Sequence, residues 1–393
     1  MNYILFDDIN RANLLPLAYT RPVSDIRVGI TTIREKWEKL LKNTTSSKTE
    51  AYLSTKYPQV IEKENFFING SIIPSAELVE AILSLNQGKS LVADDTLIAV
   101  ALDGDQAAKC DILDPKWMSG KSYSGEISKL AKLWDIFLLN GAVIETDFQI
   151  LTAGRTSHSI SSTNNLIGNN IFIEEGAKVE YATINSELGA VYIGKDAEIM
   201  EGSLIRGPFA LCEGSQVKMG AKVYGATTVG PYSKIGGEVT NCVFQAYSNK
   251  GHDGFLGNSV IGAWCNLGAD TNNSNLKNNY GEVKMWSYKE RDFQSTGLQF
   301  CGLVMGDHSK AGINTMFNTG TVVGVNSNVF GSGFPDKFIP SFSWGGAAGF
   351  SSFEVEKGLQ VASKMYDRRG LKFAQIEQNI LKHVFEITKE FRP

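Results

Sequence analysis

Five cysteines in 393 residues, Cys110, Cys212, Cys242, Cys265 and Cys301, make an odd number with no Cys-x-x-Cys pair among them. That suits reduced thiols better than a disulfide framework or a thiolate zinc site. No apolar run is long enough to span a bilayer. The opening MNYILFDDIN has only four apolar residues before two carboxylates, which fits neither a signal peptide nor an anchor. A basic excess is also missing, with 38 Lys and Arg against 42 Asp and Glu and a formal net charge of −4. A general nucleic-acid or anionic-membrane binder needs a basic surface, so any phosphate site must be local. These absences predict a soluble, cytoplasmic protein with neither nucleic acid nor membrane among its partners.

What is present is glycine, 39 residues of it, concentrated after residue 165. Stepping by six from Ile193 gives Ile199, Ile205, Leu211, Val217, Val223, Val229 and Ile235, eight aliphatic positions without a break. Neither a helix nor an ordinary strand has period six. With roughly a fifth of residues Ile, Leu or Val, chance would give such a run at a fixed phase on the order of a few times per million, so the repeat is real. Four residues after each of the first seven stand Ala197, Ser203, Phe209, Ser215, Ala221, Thr227 and Ser233, nearly all small. The pattern predicts a parallel β-helix: each hexad supplies a short strand with its aliphatic residue toward the axis, small corner residues let stacked turns approach, and three hexads close one triangular coil. The phase holds at Ile167, Ile173 and Val179, breaks near Asn185, and returns at Phe317, Val323 and Val329. Breaks of this kind are loops extruded from a corner, where function is commonly found.

On either side the periodicity changes. Residues 1–152 read as an α/β domain. Tyr3 to Phe6 is a buried strand, Thr32 to Glu35 a capping box opening a helix to about Leu41, Asn43 to Thr49 a polar loop, Phe66 to Ile68 a strand ending in Asn69-Gly70, and Ser75 to Leu85 a helix. Strand then helix, twice, predicts parallel pairing. Residues 153–345 hold the repeat. In 346–393, Val355, Leu359, Ala362 and Met365 share one helical face, and Phe373, Ile376, Ile380, Val384 and Ile387 another, with Gly370 between them. Such a tail caps the coil or packs against it, covering apolar side chains and unpaired backbone.

Gly251-His252-Asp253-Gly254-Phe255-Leu256-Gly257, Ile261-Gly262 and Asn266-Leu267-Gly268-Ala269 resemble the acetyltransferase signature of the bifunctional GlmU family. Leu15-Pro16-Leu17 and Thr20 to Gly29, with Thr32 to Trp37, are similar to a divergent bacterial branch of it. The resemblance runs across nearly the whole chain and is strongest from 165 to 345. It implies a nucleotidyltransferase-like α/β domain followed by a left-handed parallel β-helix, the hand coming from the family against the usual right-handed crossover preference. The implied activity is acetyl-CoA-dependent N-acetylation of a hexosamine 1-phosphate, with glucosamine 1-phosphate the family's own, coupled to nucleotidyl transfer that gives a UDP-sugar. A homotrimer with sites between neighbouring subunits is implied as well.

Carried over by position, His252 falls where the family places the base that deprotonates the substrate amine, a role suited to an imidazole titrating near neutrality. Arg206 falls on the phosphate-gripping arginine, whose planar fork can make two charge-assisted bonds to a phosphate. Asn266 and Asn275 fall on amides that position sugar and acetyl group. Ala269, Ile313 and Gly331 fall where backbone lines the coenzyme groove. Two departures stand out: Phe255 replaces a tyrosine, and Thr240 stands where a basic residue is expected upstream of the histidine, with Lys250 or Lys218 as substitutes.

The first domain departs further. Asp7-Asp8, Arg11, Arg21-Pro22 and Arg27 occupy the place of the family's glycine-rich phosphate loop, and Asn69 stands where a metal-binding Asp is usual. Arg11, Arg21, Arg27 and Asn69 are the candidate contacts for a nucleoside triphosphate. Mg²⁺ is implied for that transfer, although an amide is a poorer ligand for it than a carboxylate; no metal-binding residue is assigned.

Each reading has a plainer rival. A histidine such as His252 or His308 can simply face solvent. The asparagines at 272, 273, 275, 278 and 279 can be turn formers. The arginines can be salt-bridged surface, Asp7 and Asp8 a solvated strand end, and Cys265 a space-filler in the coil wall. At the level of the whole chain the rivals are a sugar-1-phosphate nucleotidyltransferase, such as a glucose-1-phosphate thymidylyltransferase, with a purely architectural β-helix, and a non-catalytic scaffold that senses nucleotide.

Overall fold

A computed structural model describes all 393 residues. The chain divides into two compact units: residues 1–14, 18–26 and 31–132 form the first, and residues 15–17, 27–30 and 133–393 the second.

The first unit is built on a six-stranded sheet in the order Thr45–Lys48, Asn2–Phe6, Glu64–Asn69, Thr96–Asp103, Lys89–Ala93, Lys121–Ser122. The first three strands are mutually parallel. The two strands read from the sequence pair in parallel, as expected, while Thr96–Asp103 runs antiparallel to Glu64–Asn69, so the sheet as a whole is mixed. The polar stretch expected as a loop contains the edge strand Thr45–Lys48. An edge strand needs only one neighbour, and here the polar side chains are themselves bonded: Arg34 donates from Nη1 to Thr45 Oγ1 at 2.8 Å and from Nη2 to Ser47 Oγ at 2.5 Å. Arg34 comes from the helix Ile33–Leu41, which opens with the expected capping box: Glu35 N donates to Thr32 Oγ1 and Thr32 N to Glu35 Oε2. Ile4, Phe6, Phe67, Val100 and Leu102 fill the core on one side of the sheet.

The second unit is a parallel β-helix. All eight residues of the hexad series are buried, in one core cluster that runs from Ile173 to Ile339. Successive turns pair eighteen residues apart through this series, as in Val191 with Phe209 and Phe209 with Thr227. The small residues also point inward, and their hydroxyls tie one turn to the next: Ser215 Oγ accepts from Ser233 N and donates to Gly230 O. Beyond Ile235 the turns shorten. Lys234 pairs with Asn249, Asn249 with Asn266, and then Asn266 pairs only with Lys310, because residues between them leave the coil and carry the hairpin Lys284–Ser287/Asp292–Ser295. The late breaks in the repeat are therefore extruded chain, as the pattern implied.

Two segments join the coil from outside it. The helix Asp135–Thr152, within the range read as part of the first domain, belongs to the second unit. Its buried polar residues explain the placement: Asn140 Oδ1 accepts from Gly29 N at 2.7 Å and from Thr228 Oγ1 at 3.0 Å, and Asp147 Oδ2 accepts from Ile30 N at 2.7 Å. At the other end, helices Val355–Asp367 and Gln375–Ile387 pack against the coil: Tyr366 stacks on Trp264 and Phe385 packs edge-on against Phe342. Ile387, expected on the packed face, is exposed, and Leu381 is buried in the same helix. No helix is long and apolar enough to cross a membrane.

Candidate active site

One wall of the coil carries an outward ladder set by strand register: Glu198, Gln216, Lys234, Asn249, Asn266, Lys310 and Asn328. The alternate, inward positions of the same strands are Ile199, Val217, Ile235, Lys250, Leu267, Ala311 and Val329. Lys250 is a lysine in an aliphatic row, 1% exposed. It is tolerated because its Nζ donates to three carbonyls, those of Gly236 at 3.2 Å, His252 at 2.7 Å and Asp253 at 3.1 Å. Burial pushes its pKa down to about 8, with Asp253 and Asp270 pulling the other way.

The chain then turns out of the wall, and His252 stands exposed at that turn. It borders a cleft of about 760 Å³ together with Asn266, Ala269 and Ile313. Glycines 236, 251 and 268 lie between the ladder and the next corner of the coil. At Gly268 a Cβ would fall 2.6 Å from the backbone of Gly312 and Ile313, so the tight stacking there requires glycine. Ile313 also borders a second groove of about 700 Å³, which contains Gly331. His252, Asn266, Ala269, Ile313 and Gly331 thus line two grooves that meet at Ile313.

The other carried-over residues stand apart from that cleft. Arg206 is exposed at the end of Leu204–Arg206, on a different wall, in register with Asn185. Asn275 donates to Asn258 Oδ1 at 2.8 Å. Asn272 and Asn273 lie in a strand and tie adjacent turns of the coil, accepting from Phe255 N and Gly257 N, rather than forming a turn. Thr240 is buried within a strand.

What position-by-position reading missed is the opposite rim. Trp264, Met365, Arg368 and Arg369 line the cleft, with Lys218, already noted as a substitute base, and Lys234. Tyr232, Tyr247 and Trp264 form a stack with centroids 5.2 Å and 4.2 Å apart, and Tyr366 from the C-terminal helix extends it at 4.0 Å. These three rings sit at consecutive left-handed corner positions of the coil. Aromatics at three successive corners, Tyr232, Tyr247 and Trp264, were the available signal. Lys310 lies beneath, its Nζ donating to His308 O at 2.6 Å and its pKa pushed down to about 8 by burial.

In the first unit the polar groups around the first strand form a closed network. Asp7 is buried, not a solvated strand end: it accepts from Thr49 Oγ1 at 2.5 Å and Val23 N at 2.8 Å, and it pairs with Arg11 at 3.3 Å. Burial dominates and raises its pKa to about 6. Arg11 also donates to Tyr52 Oη and Ala18 O. Asn69 donates to Asp8 Oδ2 and Leu97 O and accepts from Ser71. Arg21 is half-buried next to Pro22. Arg27 belongs to the second unit, where its guanidinium donates to the carbonyls of Ile30 and Gln245. No group of three or more His, Cys, Asp or Glu side chains is gathered to hold a metal ion. The residues at the Asn69 strand end, with the amide fully engaged, do not build a site for Mg²⁺.

Residues 3–156 match the family model described as sugar nucleotidyl transferase, which places a transferase domain at the start of the chain. The bifunctional protein GlmU of Methanocaldococcus jannaschii is 32% identical over 104 residues, 26% of this chain and 25% of that protein, so the chain spans about a quarter of that relative's length. Among solved structures, the polysialic acid acetyltransferase NeuO is similar over 52% of this chain and 100% of its own, at 12% identity and a TM-score of 0.30. AntD, an N-acyltransferase of Bacillus cereus, is similar over 52% and 91%, at 11% and 0.24. The UDP-N-acetylglucosamine acyltransferase of Campylobacter jejuni is similar over 58% and 96%, at 12% and 0.23. Likenesses this slight have no bearing on function.

Proposed function

We propose that the β-helix transfers an acetyl group from acetyl-CoA to the amine of a hexosamine 1-phosphate, with glucosamine 1-phosphate as first candidate, and that the N-terminal domain transfers a nucleotidyl group to the product to give a UDP-sugar. The observation that carries the first half is the meeting of His252, Asn266, Ala269 and Ile313 in one cleft. The match of residues 3–156 supports the second.

An ammonium has no lone pair, so attack requires a base. His252 takes a proton from the ammonium, and the freed amine nitrogen forms a bond to the thioester carbonyl carbon. The carbonyl oxygen carries the charge of the tetrahedral intermediate, which in this scheme the backbone N–H groups of Ala269 and Ile313 stabilise. The intermediate collapses by breaking the carbon–sulfur bond, the imidazolium protonates the departing thiolate, and the second proton on the nitrogen passes to solvent, leaving a neutral amide. Asn266, on the wall beside His252, orients the sugar or acetyl group. Asn275 and Arg206, which lie outside the cleft of one chain, act in this scheme only from a neighbouring subunit of a homotrimer, whose grooves between prisms would take the extended coenzyme and Gly331 with it. In the first domain Arg11 would reach a nucleoside triphosphate only by leaving its bonds to Asp7, Ala18 and Tyr52, Arg21 is the other candidate contact, and no step is assigned to Mg²⁺.

The test is a coupled assay with glucosamine 1-phosphate, acetyl-CoA and UTP. His252→Ala is expected to lower acetyl transfer by about 10²–10⁴ without lowering the melting temperature, since the ring is exposed. Full acetyl transfer by that variant would reduce the coil to architecture. Formation of a UDP-sugar without acetylation, or of a dTDP-sugar when dTTP and glucose 1-phosphate are supplied instead, would favour the plain nucleotidyltransferase, for which the N-terminal match alone speaks. Light scattering that finds a monomer would remove Arg206, Asn275 and the intersubunit groove from the scheme.

A further inference from the structure

The His252 cleft carries more positive charge than the acetyl-transfer step needs. Lys218, Lys234, Lys310, Arg368 and Arg369 line it, and no carboxylate does. Lys310 is engaged with the His308 carbonyl and lies beneath the floor. The pKa of Lys234 is lowered by burial first and then by Lys218, Arg369 and Arg368, with Glu198 the one opposing group. Glu198 is itself engaged, accepting from Gln216 Nε2 at 2.8 Å. Arg369 is likewise lowered by burial and by Arg368. Lys218 donates to the neutral amide oxygen of Gln216 at 3.0 Å, and like charges gathered without a counter-charge cost free energy that a bound anion would offset.

The placement is built, not incidental. Lys234 is fixed by the wall ladder, and the Lys218 stem lies beside Gly236, where the next turn has no side chain. The arginines end the helix Val355–Asp367, where cations suit the helix carbonyl end. That helix is fastened by the Tyr366 to Trp264 stack, and Arg369 Nη2 reaches Asn249 Oδ1 at 3.4 Å. Two guanidinium forks and two ammonium groups at one rim match the oxygens of a phosphate ester.

We propose that Lys218, Lys234, Arg368 and Arg369 form a phosphate-binding site at the rim of the His252 cleft, completed by the C-terminal helix. The ligand is a phosphate ester, either the phosphate of the sugar or a phosphate of the acyl carrier. Only that choice of ligand rests on the acetyl-transfer reading.

The test is calorimetry on the full chain, wild type against Arg368→Ala/Arg369→Ala, with Lys234→Met as a second variant from the opposite side. Probes are glucosamine 1-phosphate, coenzyme A and inorganic pyrophosphate, with glucosamine and pantetheine as phosphate-free partners. A loss of tenfold or more for glucosamine 1-phosphate alone assigns the site to the sugar phosphate, and for coenzyme A alone to the carrier. Arg368→Lys/Arg369→Lys is expected to recover most of the affinity, and Trp264 fluorescence to stay unchanged if the helix remains docked. Wild-type affinity of the variants for both phosphorylated ligands overturns the proposal, as does an equal loss for the phosphate-free partners. If wild type binds neither ligand, the acetyl-transfer reading fails but pyrophosphate still reports on the anion site; no pyrophosphate binding then overturns this proposal as well.

Discussion

Lys250 Nζ donates to the carbonyl oxygen of His252 at 2.7 Å, so a buried charge in the aliphatic row of the coil holds the residue that starts its exposed turn. The same ammonium reaches Gly236 and Asp253. A hydrophobic residue of similar length would fill the space without desolvating a charge, which is often neutral or stabilising. Lys250→Met is therefore expected to leave the melting temperature near that of wild type while acetyl transfer falls by about tenfold, the size of a lost positioning contact near the chemistry. A fall in both would make Lys250 a purely structural residue.

Lys250 and Lys310 have pKa values held near 8 in the folded chain, below the 10.5 of a free lysine. Between those values the unfolded chain binds more protons than the folded one, so stability rises with pH from about 8 to 10.5 and is lost as pH falls through 8. Urea melts across that range should show a rise in wild type and a smaller one in Lys250→Met. An identical rise in both would show that Lys250 does not titrate there.

Asp7 runs the other way. Its folded pKa of about 6 lies above the ordinary 3.8, so the stability its protonated form confers is complete below pH 4 and lost as pH rises through 6. A carboxyl resonance of Asp7 should titrate with a midpoint near 6, and Asp7→Asn should flatten the stability slope of the first unit between pH 4 and 6. A midpoint near 4 would mean that Arg11 and Thr49 outweigh burial.

Tyr366 bolts the C-terminal helix to Trp264. Truncating a buried aromatic costs about 3–5 kcal/mol, and here the cost falls on docking of the helix. Tyr366→Ala should expose the 368–374 connection to limited proteolysis and shift tryptophan emission, whereas Tyr366→Phe, which gives up the hydroxyl bond to Glu377, should stay resistant. Equal resistance of both variants would show that the helix is held elsewhere.

Two neighbouring glycines should answer differently to a methyl group. At Gly268 an added Cβ meets backbone of the next turn at 2.6 Å, while at Gly251 the nearest atom is Lys218 Cγ at 4.0 Å. Gly268→Ala should cost about 1–3 kcal/mol as overpacking, and Gly251→Ala almost nothing, although it adjoins His252. Thermal melts of the two decide it, and equal melting temperatures would refute the stacking argument.

The sequence by itself determined the coil and its phase, because each hexad closes one strand locally and all eight residues from Ile193 to Ile235 answer to the same short-range rule. It determined the capping box at Thr32 and both C-terminal helices for the same reason. Tertiary structure alone decided that Thr45–Lys48 pairs as an edge strand, that the helix Asp135–Thr152 serves the coil, and that Arg27 anchors the Ile30 and Gln245 carbonyls. It also decided the far rim of the cleft. Arg368 and Arg369 lie more than a hundred residues from His252, and nothing in local spacing says which corner of a coil a later helix will cover. Periodicity fixes which way a side chain faces; only packing fixes what it faces.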